Sequence, residues 1–253
     1  MKKGSERGQV TVFIIIALII VLAVLVYLFY PEIKSTISGE KEDPASFIQN
    51  CLEEDVLALS ETISLHGGSI SPGHYILYQG EKVEYLCYSQ NYHEACTMQQ
   101  PLLDNHIERE IKTSITEKVG KCFSDLRSSY EKQGYTVRLA NDDFSVELMP
   151  KRIVLNFNSS LTLTKSETQN YDSFRVIVNN NLYELVSITD SILNWETKYG
   201  DAETTVYMDA YKDLKVEKKK QSEGSTIYVL TDRNNGNKFQ FASRSFAWPP
   251  GFS

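Results

Sequence analysis

VTVFIIIALIIVLAVLVYLFY, Val10 to Tyr30, runs without a single charge. At about 1.5 Å per residue it reaches roughly the 30 Å of a bilayer's hydrocarbon core, which predicts a transmembrane helix over 10–30. The preceding stub, 1–9, carries Lys2, Lys3 and Arg7 against Glu6, whereas Glu32, Lys34, Glu40, Lys41, Glu42 and Asp43 follow the stretch. Positive charge concentrated before the span keeps the N-terminus cytoplasmic and places the rest outside. The expectation is a single-pass protein of the cell membrane, held by the lipid bilayer through residues 10–30, with an extracellular C-terminal domain. The apolar run is too long for a secretory signal and ends in Tyr-Leu-Phe-Tyr-Pro, with no small-residue cleavage pattern. An uncleaved signal anchor follows.

Beyond the span, Pro31 to Asp43 (PEIKSTISGEKED) has no apolar period and reads as a tether, 31–43. The remaining 44–253 is long enough to bury a core, as one domain or as a helical half, 44–133, and a β-rich half, 134–253. The net charge of −7 argues against a nucleic-acid partner. Cys51, Cys87, Cys96 and Cys122 all lie outside the span, and an even count on the exported side favours disulfides. Cys87 and Cys96 flank a short polar loop. Cys51 and Cys122 each sit on the apolar stripe of a predicted helix, so Cys51–Cys122 and Cys87–Cys96 is the expected pairing. No C-x-x-C pair supports a metal site.

Ile48, Cys51, Leu52, Val56, Leu59 and Ile63 recur at helical spacing from Pro44 to about His66, where Gly67-Gly68 ends the run. HYILYQ and KVEYLCY, split by Gly80-Glu81, read as a hairpin. From Pro101 to Gln133, Leu103, Ile107, Ile111, Ile115, Val119, Cys122, Phe123 and Leu126 trace a second helical stripe. YTVRLA, FSVELMP, RIVLNFN, LTLTK and FRVIVN then alternate as strands do. A helix over Asn181–Tyr199 is expected to bury Leu182, Leu185, Ile188, Ile192 and Trp195. DLKVEKKK, STIYVLTD and KFQFASRSF complete the pattern, with Asn234-Asn235-Gly236-Asn237 as a turn. The sum is an α+β fold: one N-terminal transmembrane helix, then an exported domain of helices packed on an antiparallel β-sheet.

Arg7-Gly8-Gln9, directly before the apolar run, resembles the class III signal of archaeal pilin-like proteins. The resemblance implies cleavage after Gly8, leaving Gln9 as the new N-terminus, and a filament subunit as an alternative role. Phe13 stands where such pilins usually carry Glu. Taken with Asn50-Cys51-Leu52, Gly67-Gly68 and Cys122, the order of elements resembles a family of uncharacterised single-span surface proteins of small-genome archaea. That resemblance implies no activity.

Candidate chemistry is sparse. His66-Gly67-Gly68-Ser69 is similar to an esterase oxyanion loop, but no G-x-S-x-G nucleophile elbow accompanies it. His93-Glu94-Ala95-Cys96 begins like H-E-x-x-H and then has Thr97 in place of the second histidine. His74 and His106 lack partners at motif spacing. Glu53-Glu54-Asp55 reads as a charge cluster near a helix start, and Asp142-Asp143 as a turn between strands. Lys218-Lys219-Lys220 reads as a solvated edge, and FAWPPGF as a packing tail. Asn158-Ser159-Ser160 is a glycosylation sequon. No catalytic residue, cofactor or metal is assigned. The expected function is a membrane-anchored extracellular binding or envelope-assembly protein without catalytic activity, its partner a surface ligand or envelope protein. A pilin-like filament subunit is the first alternative and an extracellular hydrolase the second.

Overall fold

Ile48, Leu52, Val56 and Ile63 repeat at helical spacing, and all four are fully buried along one side of the first packed helix. The computed structural model describes residues 16–21, 24 and 43–246, the side chains of 141 and 142 excepted. Of the uncharged stretch, 16–21 and 24 are described and are helical, and the rest of 10–30 lies outside the described residues. Among the described residues no helix is long and apolar enough to cross a membrane. This corrects the expected transmembrane helix over 10–30, and with it the single-pass location at a cell membrane. The stub 1–9, with Gly8 and Gln9, and the tether up to residue 42 lie outside the described residues. The chain divides between Asp43 and Pro44 into two units, and the second carries the sheets and their helices.

Helix α1, Pro44–Leu65, stops where Gly67 and Gly68 take φ of 82° and 110°. The Gly68 N–H donates to the Ile63 carbonyl at 2.9 Å, closing the helix end. A Cβ on Gly68 would stand 2.8 Å from Leu103 Cδ1, so this corner needs glycine for conformation and for space. Leu103 opens α2, Leu103–Lys132, whose stripe of Ile107, Ile111, Ile115, Val119 and Leu126 is buried. Cys51 and Cys122 join α1 to α2 at a Cα–Cα distance of 6.0 Å.

Strands β1, Tyr75–Tyr78, and β2, Glu81–Tyr88, form the expected hairpin through Gln79 and Gly80, both at positive φ. β3, Thr97–Met98, pairs with β2, and Cys87–Cys96 closes the loop between them. The same sheet takes β8, Leu214–Lys220, β9, Ser225–Asp232, and β10, Lys238–Arg244, in the order β1-β2-β10-β9-β8. β10 runs parallel to β2. The sheet is therefore mixed, which corrects the expectation of an antiparallel sheet; residues far apart in sequence make this pair, and local alternation carries no direction.

The second sheet is antiparallel and four-stranded, built from β4, Thr136–Met149, β5, Arg152–Thr164, β6, Thr168–Tyr171, and β7, Phe174–Asn179. Four expected short strands are here two long ones. Asp142-Asp143 is no turn, because the β4–β5 ladder passes it with a register irregularity between Asn141 and Phe144. The free side of β7 is covered by Gln49 of α1, whose amide accepts from Ile177 N–H at 3.0 Å and donates to its carbonyl at 2.9 Å. That amide does for Ile177 what a further strand would.

Helix α3, Leu182–Tyr199, buries Leu182, Leu185, Val186, Thr189, Ile192, Leu193 and Glu196. Trp195, expected inside, is 43% exposed. The buried face is thus turned toward Val186, Leu193 and Glu196. A short α4, Thr205–Ala210, leads back to β8. One contiguous core joins these helices to both sheets; Phe123 of α2, for instance, meets the rings of Phe157 and Phe174 edge-on at 5.5 Å.

Candidate functional site

β7 ends at Asn179, and the two asparagines that follow tie the start of α3 to its neighbours. Asn180 Oδ1 accepts from the Leu182 N–H at 2.8 Å, while its Nδ2 donates to Ser60 Oγ of α1 at 3.1 Å. Asn181 Nδ2 donates to Asp232 Oδ2 at 2.7 Å, and its Oδ1 accepts from Asn237 Nδ2 at 2.6 Å. Short amide side chains hydrogen-bond readily to nearby backbone, which suits them to such corners. Two clefts open beside this junction. One, of about 600 Å³, lies between Leu57 and Glu61 of α1, Asn180, and Asn235, Asn237 and Lys238 of the β9–β10 turn. The other, of about 430 Å³, is lined by Tyr183, Glu184, Ile188, Tyr211, Asp213 and Asp232 among others. Leu185 borders both. Volumes of this size suit small ligands.

A second polar group lies deep in the core. Glu196, 2% exposed, accepts from the Tyr228 hydroxyl and the Ala202 N–H (3.1 Å) at Oε1, and from Ser243 Oγ at Oε2 (2.7 Å). Burial raises its pKa, and the hydrogen bonds from Tyr228 and Ser243 oppose that rise. Burial also raises Tyr228, reinforced by the Glu196 charge. Lys218 of β8 holds the adjoining loop by donating to the Ala202 carbonyl at 2.8 Å and pairing with Asp201. These groups are satisfied by one another, as a structural network requires.

The third group contains the serine of the His-Gly-Gly-Ser run. Ser69 Oγ lies 2.8 Å from His106 Nε2 and also hydrogen-bonds the Glu84 side chain. Glu84 is buried, which raises its pKa; its Oε2 has no partner among the described residues. Burial lowers the pKa of His106 against the charge of Glu110. A nucleophilic triad needs the acid on the far nitrogen of the imidazole. Here the acid contacts the serine, and Ser69 is itself buried. The glycines serve the helix end described above, and this cluster reads as a packed polar knot.

Asp190 of α3 faces the charge of Asp104, and its Oδ1 is buried with no partner among the described residues. Burial, then Asp104, raises its pKa to about 6. Because the folded value exceeds the unfolded one, the stability it contributes is complete below about pH 4 and is lost as pH rises through about 6. Asp190→Asn should therefore stabilise the protein at neutral pH, on the order of 1 kcal/mol once solvent screening is allowed for. Urea titrations should find that gain vanishing near pH 4; a gain independent of pH would refute the assignment.

The expected residues distribute widely. Asn158 is exposed within β5 and so lies in a strand. Asp55 pairs with Lys118 of α2 at 2.6 Å, and Glu54 lines the larger cleft. The Glu53-Glu54-Asp55 cluster is not in the first turn of α1, so the helix-dipole reading does not hold. His66 meets Glu81 at 3.0 Å, and His74 packs on Tyr85 and Tyr88. Lys218, Lys219 and Lys220 lie on β8, an edge strand, paired with Asp201 and Glu217. Of FAWPPGF only Phe246 is described. Asn180, Asn181, Glu184 and Glu196 belong to no motif in the sequence, and Asn237 reads there only as part of the turn 234–237. The Asn-Asn pair ahead of an apolar helix was the one available signal. No family model, curated protein or solved structure matches the chain.

Proposed function

We propose that Pro44–Ser253 is a non-catalytic binding domain working in an oxidising, extracellular-type environment, and that it takes a surface ligand or envelope partner at the Asn180–Asn181 corner. The observation that carries this reading is the pair of clefts on either side of one hydrogen-bonded junction. Amides whose orientation is already set lose little freedom when a ligand arrives, so a prearranged rim favours binding. The two disulfides support the oxidising environment. The test uses the full, isotope-labelled, oxidised chain, titrated separately with monosaccharides, amino acids and alkylamines. At least one class should shift backbone amides of Leu57–Leu65, Asn180–Leu185 or Asn235–Lys238. No response from any class, or shifts centred on Ser69 and His106 with turnover of an added ester, would sink the proposal.

A further inference from the structure

The larger cleft has walls of opposite charge. Glu54, Leu57, Glu61 and Ser64 recur at helical spacing, so one face of α1 supplies the acidic wall. Lys238, at the start of β10, supplies the basic one, and Leu57, Leu182 and Leu185 give the cleft its apolar surface. None of these charges is engaged within the protein: Glu54, Glu61 and Lys238 have no ion-pair partner among the described residues. Ser64 adds an independent sign of a guest. Its neighbours Ser60 and Thr62 turn their hydroxyls back on α1, donating to the Leu57 and Ala58 carbonyls at 2.8 and 3.0 Å. Ser64 is 7% exposed, yet its hydroxyl has no partner among the described residues, and its oxygen opens on the cleft instead of being sealed in the core. Polar groups so deep are ordinarily hydrogen-bonded, so this hydroxyl points to a ligand.

We propose that this cleft binds an aliphatic α-amino acid as its zwitterion, with the ammonium toward Glu61 and the Ser64 hydroxyl, the carboxylate toward Lys238, and the side chain on Leu57, Leu182 and Leu185. This rests on the reading of the domain as a binding module and names its ligand class. Glu61 and Ser64 belong to the last turn of α1, where the negative end of the helix dipole favours an ammonium. A sugar would leave all three charges without a counter-charge. A simple amine would leave Lys238 unpaired, and a simple carboxylate would meet two glutamates.

The test titrates the full oxidised chain with L-leucine, with isoamylammonium, which lacks the carboxylate, and with isocaproate, which lacks the ammonium, while backbone amides are followed by NMR. Leucine should shift residues 54–65, 180–185 and 235–238 and bind at least about 10-fold more tightly than either fragment. Lys238→Met should weaken leucine about 10-fold and leave isoamylammonium unchanged. Glu61→Gln should weaken leucine about 10-fold and leave isocaproate no weaker. Ser64→Ala removes no hydrogen bond within the protein, so it should weaken leucine about 3-fold at an unchanged urea midpoint. Equal binding of the three probes, indifference to Lys238→Met or to Glu61→Gln, or shifts elsewhere would overturn the inference. If leucine fails while monosaccharides perturb either cleft, the zwitterion inference falls and the binding-domain reading stands.

Discussion

Glu196→Ala is expected to cost about 3 kcal/mol or more of folding stability, since each buried donor left without an acceptor costs about 1–3 kcal/mol. The substitution strands the Tyr228 hydroxyl, the Ser243 hydroxyl and the Ala202 N–H inside the core, and it leaves a void at a position 2% exposed. Glu196→Gln keeps one acceptor oxygen and should cost roughly half as much or less. The pH dependence separates the two effects. Because burial raises the folded pKa of Glu196, its contribution to stability is complete below the ordinary carboxylate range and declines as pH rises through the raised value. Glu196→Gln should flatten that decline. Urea unfolding at acidic and neutral pH decides it: a loss for Glu196→Ala no larger than a surface substitution would mean the network contributes nothing.

Replacing both cysteines of a bridge by alanine should distinguish the two disulfides. Cys51–Cys122 closes a sequence separation of 71 and Cys87–Cys96 one of 9. On the chain-entropy account these separations correspond to about 4 kcal/mol and about 2–3 kcal/mol. Cys51→Ala with Cys122→Ala should therefore lower the urea midpoint further than Cys87→Ala with Cys96→Ala. Burial does not separate the bridges, since Cys87 and Cys122 are both fully buried, so the difference rests on loop length. Equal losses, or a larger loss for the short loop, would show that local packing near β2 outweighs chain entropy.

Which parts of this molecule could be read from its residues depends on how local their causes are. The α2 stripe from Leu103 to Leu126 follows from period alone, because a helix so regular has one apolar side. Cys51 and Cys122 ride on such stripes, so their meeting follows once the two helices pack. α3 was harder. Ile188 and Trp195 keep helical spacing as well as Val186 and Leu193 do, and the choice falls to partners on β9 and β10 that accept a carboxylate inside. β6, TQNY, has no apolar alternation to announce it and exists through its pairing with β5. The candidate site was the least legible part, since Asn180, Asn181, Asp232 and Asn237 come together only after β7, α3 and the last hairpin are in place.

The parallel pairing of β2 with β10 bears on how the chain acquires this shape during synthesis. Ribosomes release residues in order, and β2 waits beside an empty place until residues 242–244 emerge. Both disulfides, in contrast, join residues no later than Cys122. Oxidation can therefore fasten α1 to α2 and β2 to β3 before any strand of the four-stranded sheet has been made. The early, covalently fastened segment becomes the template, and the last hairpin is the piece that docks. A delay at that final step would leave the edge of β2 open to strands of other chains, so the interval between making Cys122 and making Arg244 is when this protein is most exposed to aggregation.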